Sequence, residues 1–60
     1  MKERLYRAFW DDGHDTGEFE FYSKHRAGSK ANIEDAYTYI SRNYGSSAYR
    51  RMKITSTYLV

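Results

Sequence analysis

The sequence predicts an α+β domain: a three-stranded antiparallel sheet in the order 2-1-3, with one helix packed on one face and β-β-α-β topology. Three observations lead there. Residues 18–25 (EFEFYSKH) alternate with the period of a strand. From Ile33, the apolar residues Ala36, Tyr37, Ile40 and Tyr44 follow at offsets of 3, 4, 7 and 11, which trace one face of a helix. Residues 48–59 then return to β-forming types.

The first strand is residues 2–10 (KERLYRAFW), rich in β-formers, and it is followed by 11–17 (DDGHDTG), a stretch with the composition of a turn. The two strands therefore form a hairpin. For the helix, Ser29 or Asn32 can cap the start, Glu34 and Asp35 suit the electropositive first turn, Arg42 suits the last, and Gly45 supplies the stop. In 48–59, strict alternation puts Met52, Ile54, Ser56 and Tyr58 on one face and Tyr49, Arg51, Lys53, Thr55 and Thr57 on the other. A helix that returns the chain to the end it left makes strand 1 central and every neighbouring pair antiparallel. The predicted helix-facing set is Phe19, Phe21, Met52, Ile54 and Tyr58 with Ile33, Ala36, Tyr37 and Ile40. Strand 1 is apolar on both faces, and the small Ala8 favours Tyr6, Ala8 and Trp10 inward, because it lets a helix approach closely.

Sixty residues allow one domain, 1–60, with a small core. With 40% hydrophobic and 30% charged residues the composition is that of a folded domain. No apolar run approaches the roughly 20 residues that cross a bilayer, and Met1-Lys2-Glu3-Arg4 leads into no signal-peptide core, so a cytoplasmic protein without a membrane partner is expected. The absence of cysteine excludes disulfides, thiolate metal sites and cysteine nucleophiles. Seven Tyr, three Phe and one Trp supply large apolar areas instead, and self-association would add to the burial that so short a chain can reach.

The candidate binding surface is the open sheet face. It is expected to gather Leu5, Arg7 and Phe9 from strand 1, Tyr22 and Lys24 from strand 2, and Tyr49, Arg51 and Lys53 from strand 3. Rings interleaved with cations suit two kinds of partner. Leu5 and Phe9 can form the apolar centre of a protein interface, with a homodimer expected. Alternatively, single-stranded nucleic acid can stack on the rings while Arg and Lys neutralise phosphates. A second candidate is the basic start of the helix, where Lys24, Arg26, Ser29 and Lys30 surround free backbone N–H groups suited to an anion. Asp11, Asp12, His14 and Asp15 match neither an EF-hand loop nor a zinc signature, so no metal or other cofactor is expected, although an acidic loop could orient the protein against a basic partner. With no nucleophile motif and little material for a pocket, the sequence reads as a non-catalytic interaction module, with nucleic-acid or nucleoprotein binding as the alternative. Size, tyrosine content and lack of cysteine are similar in style to small accessory proteins of bacterial viruses and mobile elements, with no motif behind the likeness.

Overall fold

The computed structural model describes residues 2–60. Strands β1 (Arg4–Asp11) and β2 (Thr16–Ser23) form the hairpin, helix α1 (Lys30–Tyr44) crosses the sheet, a short helix α2 (Ser46–Arg51) follows, and β3 (Lys53–Leu59) closes the chain. The sheet order is β2-β1-β3, and β1 runs antiparallel to both neighbours. This is the predicted α+β architecture.

Hairpin register is set between Arg4↔Ser23 and Asp11↔Thr16. Tyr6, Ala8, Phe19 and Phe21 consequently point under the helices, and Ala8 is completely buried. The turn is closed by its own carboxylates: Asp12 Oδ1 accepts the N–H groups of His14 (2.9 Å) and Asp15 (2.7 Å), and Asp11 Oδ1 accepts that of Gly13 (2.7 Å). Gly17 is a steric requirement, since a methyl group there would sit 2.6 Å from Cζ2 of the Trp10 indole.

Ser29 caps α1, its Oγ accepting the Asn32 N–H at 3.2 Å. The helix starts one residue later, so Glu34 and Asp35 fall in its second turn rather than its first. The buried line is Asn32, Ala36 and Ile40, with Ile33 only half-buried, a slight rotation from the predicted face. Tyr39 adds a ring stacked on Phe19, with centroids 4.7 Å apart and planes 8° from parallel.

Two departures follow Gly45. First, residues 46–51, which include the predicted strand residues Tyr49 and Arg51, form α2. Gly45 takes a positive φ of 94° to change direction, and its carbonyl accepts the Tyr49 N–H at 3.1 Å. The segment contains no β-branched residue before Ile54, and alanine and arginine favour helix. Ala48 and Met52, four apart as one helical face requires, are both buried. Second, the pairing of β1 with β3 shifts between Phe9↔Ser56 and Trp10↔Ile54, leaving Thr55 as an extra residue in β3, with its Oγ1 bonded to the Phe9 carbonyl at 3.1 Å. A bulge of this kind inverts the alternation beyond it. Ile54 keeps its inward position, but Ser56 and Tyr58 turn outward and Thr57 turns inward. Tyr58 therefore leaves the predicted core, and Thr57, predicted outside, is buried.

Candidate binding surfaces: the open sheet face and a basic groove

Of the residues expected on the open face, the structure brings together Leu5, Arg7, Phe9 and Tyr22. Leu5 lies opposite Tyr22, and Arg7 lies between Glu20 on β2 and Tyr58 on β3. Phe9 meets Tyr58 edge to face, with ring centroids 5.6 Å apart and an interplanar angle of 79°. Such a pair adds about 0.5–1.5 kcal/mol beyond its buried area, and it leaves Tyr58 more than half exposed.

The remaining cations are elsewhere. Tyr49 and Arg51 are on α2, where Tyr49 meets Tyr37 edge to face at 5.7 Å, and the Tyr37 hydroxyl accepts the Ile54 N–H at 3.0 Å. Lys53 pairs across from Asp11 at the far end of β1. Lys24 follows the last residue of β2 and lies off the sheet. In their place stand Glu18 and Glu20, sent outward by the same alternation that sends Phe19 and Phe21 inward. Glu20 Oε2 accepts from Arg7 Nη2 at 2.9 Å, and Glu18 Oε2 lies 4.0 Å from Arg7 Nε. Glu20, through this hydrogen bond, and then Glu18, through its charge, raise the Arg7 pKa above its ordinary value. The centre of the face thus carries one cation between two carboxylates, next to an aromatic pair.

A second surface forms at the end of the sheet where β1 begins and β2 ends. Pairing of Arg4 with Ser23 sets Lys2 and Arg4 beside the segment that leaves β2. Lys2, Arg4, Lys24 and Arg26 line a groove of about 460 Å³ floored by Tyr6, Ala27 and Leu59, and no carboxylate lines it. Among the described residues the only ion pairs are those of Arg7, so all four groove cations are unpaired. Lys2 and Arg4 join this surface only through strand pairing and carry no motif in the sequence.

The groove rests on a buried polar network. Asn32, fully buried, donates from Nδ2 to the His25 carbonyl (3.1 Å) and accepts at Oδ1 from Thr57 Oγ1 (2.7 Å), which in turn accepts the Gly28 N–H (2.7 Å). Beside it, the buried Ser23 donates to Asp35 Oδ2 (2.6 Å) and accepts the His25 N–H (3.1 Å). The Arg26 carbonyl accepts both the N–H and the hydroxyl of Ser29. The chain between Ser23 and Ser29 is thereby tied to α1 through Ser23 and His25 and to β3 through Gly28. Thr57 reaches this position only because of the bulge, so one inserted residue in β3 both completes the network and sends Tyr58 to the open face. Lys30, the first residue of α1, stands just beyond the cap.

The acidic turn is at the opposite end. The carboxylates of Asp11 and Asp12 accept backbone N–H groups, and the N–H groups of Asp15 and His14 hold the Asp12 pKa below its ordinary value. Among the described residues no group of three or more His, Asp or Glu side chains is placed to hold a metal ion. Among the described residues no helix is long and apolar enough to cross a membrane. No protein-family model, curated protein or solved structure matches this chain.

Proposed function

We propose that this protein is a small non-catalytic interaction module whose open sheet face docks on protein, a second copy of the chain being its partner. The observation that carries the reading is the composition of that face: a half-buried Phe9 against an exposed Tyr58, beside an arginine already held by two glutamates. Two carboxylates around one guanidinium repel a phosphate chain, which removes the main attraction of this face for nucleic acid. The same arrangement suits a protein interface, in which aromatic side chains form the centre and a rim of both charge signs can be matched. A second copy presents both signs by construction, and pairing would add the apolar burial that a 60-residue domain lacks.

Sedimentation tests this. A dimer of the 7.2 kDa chain is expected, with a dissociation constant of about 10 μM. Phe9→Ala should weaken it by more than about tenfold, as expected for an anchor at an interface centre, while leaving the fold intact. A 7.2 kDa species persisting to about 100 μM, well above that constant, would refute self-association.

A further inference from the structure

We infer that the groove at the start of β1 is a second binding site, independent of the open sheet face, and that it holds the phosphate backbone of a nucleic-acid duplex. Lys2, Arg4, Lys24 and Arg26 converge there from two separate stretches of chain, and no carboxylate lines the groove. Arg7, only three residues from Arg4, is matched by two glutamates, so ion pairing is available in this fold and is absent at the groove. Four unpaired cations held side by side repel one another, and an anion with several charges relieves that repulsion.

The backbone under these cations is preorganised. Lys24 and Arg26 flank His25, whose N–H and carbonyl are both bonded to buried side chains, and the Arg26 carbonyl takes two further bonds from Ser29. A fixed backbone lowers the ordering cost of binding.

The lining selects among polyanions. The exposed rings Tyr22, Tyr44, Tyr49 and Tyr58 all lie outside the groove, and its one aromatic, Tyr6, is buried in the floor. Bases of a single strand therefore find no platform to stack on, whereas a duplex, with its bases already stacked, offers closely spaced phosphates to a cationic groove. The site reads charge without sequence, as backbone contacts do.

The test is fluorescence anisotropy with a labelled mixed-sequence DNA duplex of about 20 base pairs and its single strand, at several salt concentrations between about 50 and 200 mM. Four phosphate contacts predict a slope of log affinity on log salt near −3.6, or roughly a 100-fold loss across that range. Arg4→Glu combined with Arg26→Glu should lower affinity at least tenfold and flatten the slope by about 2. Circular dichroism should show the double variant folded, and its sedimentation should match the parent's. The exposed Thr38→Ala, outside both surfaces, should leave duplex binding unchanged, and sedimentation of the parent without DNA reports on the sheet face separately. No duplex binding up to about 100 μM at the lowest salt would overturn the assignment. So would equal binding by the folded double variant, tighter binding of the single strand, or capture of an acidic peptide in place of the duplex.

Discussion

Arg4 and Arg7 are three residues apart on one strand, yet they occupy opposite electrostatic settings. Arg7 faces Glu20 across the hairpin and is matched there, whereas Arg4 faces the buried Ser23 and stands free beside Lys24 and Arg26. The difference comes from alternation, which puts Arg4 on the face of Tyr6 and Ala8 and Arg7 on the open one, and from register, which sets the neighbour each meets. A formal charge of +2 says nothing of where cations are available, because each cross-strand neighbour decides whether a charge is satisfied or presented. Hence we propose different partners for the two surfaces: protein for the mixed aromatic face and phosphates for the unopposed basic groove.

The two regions also differ in what holds them, and mutations should expose this. The largest effect is expected from Ile40→Ala, since Ile40 is fully buried beneath the sheet. It should cost about 2–5 kcal/mol and weaken both surfaces together, while the exposed Thr38→Ala should be nearly neutral in chemical denaturation. A smaller loss of Ile40→Ala, matching that of Thr38→Ala, would show that the helix is packed on a different face. Asn32→Ala comes next. It leaves the His25 carbonyl without its donor and the Thr57 O–H without its acceptor, at about 1–3 kcal/mol, and amide exchange should accelerate at His25 and Gly28 before it does on β1. Uniform acceleration along the chain would mean that the network does not act as a local support of the groove.

Removing the Arg7 pair should matter least to folding. Arg7→Gln is expected to leave the chemical-denaturation midpoint close to the parent's, because the guanidinium and both carboxylates are solvent-exposed and screened. Its effect should appear in association instead, through the charge pattern of the open face. At the far end, the Asp12 carboxylate has a lowered pKa in the folded protein. Its stabilising contribution is therefore complete above the ordinary value of 3.8 and disappears as pH falls through the lower folded value. Asp12→Asn keeps an acceptor for the turn and should reduce the fall in melting temperature over that acidic interval.

Much of the fold was legible locally. Alternation in β2 identified Phe19 and Phe21, the helical spacing identified Ala36 and Ile40, and the turn composition located the hairpin. The outward place of Glu18 and Glu20 was written in the same alternation as Phe19 and Phe21, which makes the matching of Arg7 a readable feature. The Ala48–Met52 spacing likewise carried a helical signal, although tyrosine and methionine made the segment resemble a strand. The bulge at Thr55 had no such mark. Its cause lies in the joint demand of Ile54 for the core and of Thr57 for Asn32 and Gly28, contacts that exist only after α1 is docked.

By itself, then, the sequence determined the class, the strand order, the hairpin and the position of α1, because those follow from periodicity, capping and turn chemistry acting over a few residues. Tertiary structure decided the rest: which side of β3 meets the core, where Tyr58 points, and which cations stand together. Strand pairing joins Arg4 to Ser23 across the hairpin, and the network joins Asn32 to Thr57 from 25 residues away, so both surfaces depend on contacts between distant stretches of chain. An alternating pattern inverts whenever one residue is inserted, and only the packed sheet shows where that insertion falls.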